Sequence, residues 1–216
     1  MVRFRIIRLA VVLILALTQT ACMVTSENPL IAPESAKVDE RLFGQWKRVE
    51  KDETAHYFIG RAAGITNCPE GLMVLHLAKI APNHEIEWGE GPGYLFAAKV
   101  GKDDYLHLIE RKDDSKKMTE WNKTEIKSYH ILKYSIVDDR LVGQLMDLDV
   151  TTMAIEKGKL KGEVHRRKGK DNLETGEVQS VILKESSENL RKYLENGGSR
   201  TLFNDKEKTV LTRVKW

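Results

Sequence analysis

The chain lacks most of the features that would place it in a familiar functional class. It has only two cysteines among 216 residues, which excludes a fold held together by several disulfides. Its longest apolar run, Leu9–Leu17, is far shorter than the roughly 20 residues of a membrane-spanning helix. Phosphate-binding, dinucleotide-binding and G-x-S-x-G nucleophile motifs are all missing from the sequence. We therefore expect no cofactor, and we predict that the protein is not an enzyme.

The N-terminus has the three parts of an export signal. Arg3, Arg5 and Arg8 carry positive charge, Leu9–Leu17 is continuously apolar, and Thr18–Ala21 is small or polar. This order is typical of a signal peptide covering residues 1–21 and cleaved after Ala21. Ordinary secretion and an uncleaved anchor remain alternatives.

The residues around the cleavage site resemble a bacterial lipobox. Thr20 and Ala21 are followed by Cys22, although Gln19 stands where the family usually has leucine. The resemblance implies that Cys22 is acylated, and two or more acyl chains hold a protein stably at a membrane. Because Met23, and not aspartate, follows the cysteine, lipoprotein sorting implies an outer-membrane protein that faces the periplasm.

The charge balance argues against a nucleic-acid partner. Three of the 35 basic residues are the signal arginines, so 32 basic residues remain beside 32 acidic ones after cleavage. The high isoelectric point thus belongs mainly to the signal, and nucleic-acid binding is not expected.

Cys68 becomes the single thiol of the mature chain if Cys22 carries lipid. It follows a turn-like segment without a neighbouring histidine that would activate it, so a quiet structural role is favoured. A disulfide between Cys22 and Cys68 is the rival interpretation.

After the signal, residues 22–40 contain two prolines and little periodicity, which predicts a tether. Residues 41–216 are long enough for one domain with a sizeable core. Apolar alternation predicts that this domain is mainly β and antiparallel. The expected strands cover 42–49, 55–59, 72–80, 85–88, 94–100, 105–111, 128–137, 140–147, 177–183 and 209–214.

Two short helices are predicted in the C-terminal third. Asp149 is placed to cap the first, which ends at Gly158, and Ser186 or Ser187 is placed to cap the second, which ends at 197–198. Many short strands with tight turns favour closure into a barrel, because closure removes exposed edges.

The first predicted strand, L-F-G-Q-W-K-R-V-E, resembles the G-x-W opening of lipocalin-like domains. Gly44 and Trp46 hold the matching positions, and the resemblance implies that Trp46 plugs the closed end of an antiparallel barrel. The T-D-Y motif and the C-terminal arginine motif of true lipocalins are not found. A core tryptophan of an unrelated β domain is the simpler alternative.

Dispersed polar residues offer few candidates for chemistry. The histidines form no H-x-H or H-E-x-x-H spacing, so no metal site is predicted, although His76, His107 and His130 all lie on expected strands. Paired acids at 103–104, 113–114 and 138–139 are expected in turns. The basic run 165–170 is expected to be a solvated hairpin loop, with contact to anionic lipid as the alternative.

These observations predict a lipid-anchored envelope protein with a non-catalytic structural or protein-interaction role. The alternative is a lipocalin-like carrier of a small apolar ligand or lipid. Such a carrier needs small inward side chains, for which Gly93, Ala97 and Ala98 are the candidates.

Overall fold

The computed structural model describes residues 23–50, 53–80, 86–89, 91–113, 118–168, 174–204 and 208–215. Strands dominate these ranges. They are β1 (Met23–Ser26), β2 (Gly44–Glu50), β3 (Glu53–Arg61), β4 (Met73–Ile80), β5 (Ile86–Trp88), β6 (Gly93–Val100), β7 (Asp103–Arg111), β8 (Ile126–Val137), β9 (Arg140–Leu145), β10 (Gly162–Lys168), β11 (Glu174–Leu183) and β12 (Lys208–Arg213).

Eight of the strands close into an antiparallel barrel. Their order is β8-β7-β6-β4-β3-β2-β12-β9, and β9 pairs again with β8 to complete the circle. The short β5 extends the pairing of β4 at one end of the barrel. The predicted mainly β, antiparallel, barrel-like architecture is therefore confirmed.

The β8–β9 hairpin follows from the sequence D-D between two apolar strands. Asp138 and Asp139 both have positive φ, at 48° and 58°, and Val137 pairs with Arg140. Positive φ at both central residues is the requirement of a two-residue type I′ turn. In the β6–β7 hairpin, Gly101 supplies the positive φ instead. Asp103 and Asp104 therefore lie on β7 and not in the predicted turn.

Strands β6, β7 and β8 separate two apolar cores. Inside the barrel, side chains such as Trp46, Leu95 and Leu108 pack together. On the outer face of the same three strands, alternate residues such as Phe96 and Tyr129 form the second core. This double burial explains why these strands are apolar on both faces.

Two helices cover the outer core, and both lie in the C-terminal part, as predicted. Helix α1 (Leu148–Glu156) is capped by Asp147, whose carboxylate accepts from Val150 N at 2.9 Å, so the predicted cap at Asp149 is wrong by two residues. Helix α2 (Ser187–Tyr193) is capped by Ser186, as expected. It continues through a kink at 196–197 into the turn Ser199–Leu202.

The N-terminal segment expected as a tether is part of the folded domain over residues 23–42. Strand β1 pairs in parallel with β11 and meets β8 at Ser26 and Tyr129. Leu30 is fully buried, and Lys37 bridges to Ala97 on the barrel. The pairing was missed because a four-residue strand carries no readable periodicity.

The basic run was also placed incorrectly over residues 165–168. These residues belong to β10, which pairs with β11, while the remainder of the run lies outside the described residues. Strands β1, β11 and β10 thus form a flanking sheet that leaves the barrel at β8. Strand β10 is its edge, and irregular register and charged side chains are features that keep such an edge from pairing further.

Candidate functional site

Trp46 lies in the core of the barrel near the end at which β2 begins. Its side chain is completely buried, and its indole Nε1 donates to the carbonyl oxygen of Leu42 at 2.8 Å. Arg213 of β12 stacks on the same ring, with its guanidinium carbon 4.1 Å from the ring centroid. Arg213 Nη1 also donates to the carbonyl oxygen of Phe43 at 2.6 Å. The last strand is thereby fastened to the first strand of the barrel.

Gly44 permits this arrangement for two reasons. Its φ is +115°, a conformation that residues with a side chain rarely adopt. A Cβ atom at this position would also come within 3.2 Å of Arg213 Nη1. Glycine two residues before the buried tryptophan is therefore required by the backbone and by the neighbouring arginine.

A second network closes the same end. Tyr134 donates to the carboxylate of Asp39 at 2.6 Å, and Arg41 bridges Asp39 and Asp104 at 2.7 and 3.0 Å. Burial raises the pKa of Asp39, but the hydrogen bonds from Arg41 and Tyr134 together lower it by more. The pKa therefore lies below the ordinary value for an aspartate. The carboxylate is ionised at neutral pH and holds the 3₁₀ turn Glu40–Leu42 over the barrel end.

The interior of the barrel contains an apolar cavity of about 60 Å³. It is lined by Tyr57, Ile59, Leu75, Leu95, Leu106, Leu108, Leu132, Tyr134, Leu141, Gly143, Thr209 and Leu211. Pockets that hold small-molecule ligands usually measure about 300–1,000 Å³. The cavity is thus several times too small for such a ligand, because bulky leucines fill most of the interior.

The small residues expected to line a cavity are not its lining residues. Gly93 and Ala97 face inwards, whereas Ala98 belongs to the outer core. The glycine at the cavity wall is Gly143 of β9, which the sequence did not single out. An interior position of Gly143 follows from its spacing of two from Leu141, which was the available signal.

Beyond the cavity, towards the other end of the barrel, three inward polar side chains form a cluster. Glu110 accepts hydrogen bonds from Ser128 Oγ and from Lys127 Nζ, the latter at 2.7 Å. His130 is 4% exposed and its Nε2 lies 4.0 Å from Glu110 Oε2. Nε2 has no hydrogen-bond partner among the described residues. Ser128 is hydrogen-bonded to the Glu110 carboxylate and not to His130. The cluster therefore lacks the serine–histidine hydrogen bond that would activate the hydroxyl as a nucleophile.

The ionisation of this cluster is set by its surroundings. Burial lowers the pKa of His130, which leaves the ring neutral at physiological pH. Burial raises the pKa of Glu110, but Lys127 and Ser128 lower it by more, so the carboxylate is ionised. His130 Nε2 can bond to a further polar group. The base beside the serine hydroxyl is the Glu110 carboxylate, which is a weak base because its pKa is lowered and Lys127 pairs with it.

A serine on the outer side of the barrel has richer contacts. Ser199 Oγ accepts from Tyr105 at 2.9 Å and from Lys133 at 3.1 Å, and it donates to Asp103 at 2.6 Å. Lys133 also pairs with Asp103 at 3.0 Å. Ser199 is 5% exposed and its hydrogen-bonding capacity is used, so this cluster fastens the kinked helix to the barrel.

The three histidines considered for a metal site do not converge. His76 is exposed on β4, His130 points into the barrel, and His107 is completely buried in the outer core. His107 stacks on Phe96 with ring centroids 4.5 Å apart, and its Nε2 accepts from Leu30 N at 2.9 Å. Within the described parts of the chain, no group of three or more His, Cys, Asp or Glu residues is placed to hold a metal ion.

The remaining predicted residues are placed as follows. Ala21 and Cys22 lie outside the described residues. Cys68 is half-buried, packs at the edge of the outer core and has no disulfide partner within the described part of the chain, which does not include Cys22. Of the basic run, Arg166 pairs with Glu156 at 2.6 Å, and Arg167 pairs with Glu177 at 3.1 Å.

An apolar cluster lies on the outer surface of β3 and β5. Trp88 is 64% exposed and Ile86 is 58% exposed. Phe58 packs against Trp88 with ring centroids 5.8 Å apart. This cluster was not expected from the sequence, because a three-residue strand next to a turn gives no sign of which face is covered.

Comparisons with known proteins found no match for this chain among protein-family models, curated proteins or solved structures. Among the described residues, no helix is long and apolar enough to cross a bilayer.

Proposed function

We propose that this chain is a lipid-anchored protein of the bacterial envelope, at the outer membrane and facing the periplasm, with a non-catalytic structural or protein-interaction role. The observation that carries the second half of the proposal is the filled interior, where the cavity is only about 60 Å³. The exposed cluster around Trp88 supports an interaction role, because a large aromatic side chain is costly to leave in water. The Ser128 and Ser199 clusters support the non-catalytic role, since neither pairs an accessible serine with a free base.

The lipid anchor rests on the sequence T-A-C at residues 20–22. The test is mass spectrometry of the mature N-terminus purified from the native host. Acylated Cys22 as the first residue is the expected result. The Cys22→Ser variant is expected to be soluble or unprocessed. An intact signal, or an unmodified thiol at the first mature position, contradicts the anchor.

The lipocalin-like character of the domain is also part of the proposal. It is supported by the contact between Trp46 and Arg213, because Arg213 stands on the last strand, where a C-terminal arginine motif would be sought. The strand sequence T-V-L-T-R-V is too short for that motif to be identified without the contact. A solved structure of a relative that keeps both residues in contact would strengthen this assignment.

A carrier of a small apolar ligand is the second candidate, and the apolar lining of the cavity favours it. The two functions are separated by titration with a fluorescent apolar probe. If the barrel is filled, the wild-type protein binds no probe saturably, whereas Leu106→Ala gains binding because it enlarges the cavity. Gly143→Leu, which fills the cavity, is the matched control and binds none. Saturable one-to-one binding by the wild type that Gly143→Leu abolishes would establish the carrier instead.

A further inference from the structure

The folded domain begins immediately after the proposed anchor. Met23 is the first residue of β1 and pairs with Ser180 of β11, which in turn pairs with His165 of β10. Cys22 directly precedes Met23 in the chain, so no spacer separates an acyl group at Cys22 from the flanking sheet. A flexible tether of the expected length would have let the domain move freely, and the structure does not provide one.

The direction of β1 defines which part of the domain is nearest the anchor. Because β1 runs parallel to β11, the N-terminal end of β1 faces the side on which β11 begins, at Glu174. From Glu174 to Ser180, the partner of Met23, β11 extends about 20 Å at the usual rise per residue. The hairpin formed by β10 and β11 therefore projects past the N-terminal end of β1.

We propose that the β10–β11 hairpin lies along the surface of the lipid bilayer. The inference rests on the proposed anchorage at Cys22. Acyl chains on Cys22 enter the bilayer beside the hairpin, and a hairpin that projects about 20 Å further in that direction cannot stand upright without entering the hydrocarbon. Its charged, hydrogen-bonding strands exclude that position. The hairpin must then lie flat among the lipid headgroups.

Net charge does not account for this contact. The hairpin Gly162–Leu183 contains as many acidic as basic residues, namely Glu163, Asp171, Glu174 and Glu177 beside Arg166, Arg167, Lys168 and Lys170. Arg166 and Arg167 have acidic partners within the protein. The contact is imposed by the short anchor, and it should therefore persist at high salt concentration, unlike binding that depends on charge.

The same geometry orients the barrel. Strand β1 is parallel to β11 and antiparallel to β8, which it meets at Ser26 and Tyr129. A hairpin that lies flat on the bilayer therefore places β8 along the surface as well. Strands β4 and β5 lie across the barrel from β8, so Trp88 of β5 is farther from the bilayer than the hairpin.

The test uses the acylated full-length chain in vesicles that carry a headgroup quencher. A fluorophore is attached to Gln179→Cys on the hairpin or, as the matched control, to Glu87→Cys beside Trp88. Both variants carry Cys68→Ser, and both labelled side chains are exposed. We expect several-fold stronger quenching at 179 than at 87, unchanged at high salt concentration. A Gly/Ser linker of about 12 residues between Cys22 and Met23, which reaches about 20 Å, should abolish the difference.

Flotation of the same vesicles separates the two possible failures. If the acylated protein floats with the vesicles but both positions are quenched equally, the hairpin contact is wrong and the anchor stands. If the purified chain carries no acyl group and does not float, the anchor is wrong and the hairpin contact is wrong with it. Loss of the contact at high salt would also overturn the inference, since it would make charge the cause.

Discussion

Arg213 lies over the indole of Trp46 with its guanidinium carbon 4.1 Å from the ring centroid. The contact joins β2, the first barrel strand in the sequence, to β12, the last. The guanidinium also donates to the carbonyl oxygens of Phe43 and Arg41. A planar guanidinium group can stack on a ring and donate both hydrogen bonds at once, whereas the ammonium group of a lysine cannot.

Arg213→Lys should therefore lower the free energy of unfolding by about 1–3 kcal/mol, although it keeps the charge. Urea denaturation followed by tryptophan fluorescence measures this change. Arg200→Lys is the matched control, because Arg200 is exposed on the helical turn after the kink. Equal losses in the two variants would contradict a specific role for the stacked arginine.

Gly44→Ala should lower the free energy of unfolding by about 1–3 kcal/mol, because alanine is strained at a φ of +115° and its Cβ approaches Arg213. The control is Gly60→Ala on the adjacent strand. A Cβ at Gly60 would have no atom within 4 Å, and its φ is not in the positive range. Urea midpoints that shift equally for both variants would show that the backbone at residue 44 is not restrictive.

Glu185 should make stability depend on pH. It is 6% exposed and accepts hydrogen bonds from Lys161 N, Asn189 Nδ2 and Ser186 N. Burial raises its pKa, but these hydrogen bonds lower it by more, so the folded value lies below that of the unfolded chain. The resulting stabilisation is fully present above the unfolded pKa, about 4.3, and is lost as the pH falls through the folded value.

Glu185→Gln should thus cost about 1–3 kcal/mol at neutral pH and progressively less below pH 4 or so. Chemical denaturation across this range measures the difference. Glu188→Gln, at an exposed position in the first turn of α2, should show little cost at any pH. A cost for Glu185→Gln that does not change with pH would mean that its charge is irrelevant.

His107 should destabilise the fold at mildly acidic pH. Burial lowers its pKa to about 3, whereas the ring in the unfolded chain has an ordinary pKa near 6.5. Between these two pKa values, the ring is protonated in the unfolded state but neutral in the folded state. The free energy of unfolding therefore falls as the pH drops from about 6.5 towards 3. NMR should show no titration of this ring between pH 7 and 4 or so, and His107→Gln should have a flatter stability profile. A ring that titrates near 6.5 would contradict its burial against Leu30.

The sequence predicted best those elements that are defined by local patterns. The β8–β9 hairpin was readable because two apolar strands flank the pair Asp138–Asp139, and both acids adopt the positive φ that such a turn needs. The end of α1 at Gly158 was readable for the same reason, since this glycine has a φ of +66°. In both cases the decisive interaction lies within a few residues of the signal.

The sequence could not reveal features that depend on distant partners. Strand β1 exists because β11 is available more than 150 residues later in the chain. The packing of residues 27–36 depends on single contacts such as the one between Leu30 and His107. Arg213 was indistinguishable from other C-terminal basic residues until the barrel brought it to Trp46. The small volume of the cavity likewise depends on side chains from many strands of the barrel, so it could not be predicted from any short segment of the sequence.

The parallel pairing of β1 with β11 has a consequence for the order of assembly. Residues 23–26 are synthesised early, but their partner, Ser180–Leu183, emerges only after most of the barrel has been made. Closing so long a loop is entropically costly until intervening strands have brought its ends together. Strand β1 is thus made first among the strands and paired with β11 late. A nascent chain truncated before residue 180 would lack β12, so the barrel would stay open between β2 and β9, and β1 would keep only its contact with β8.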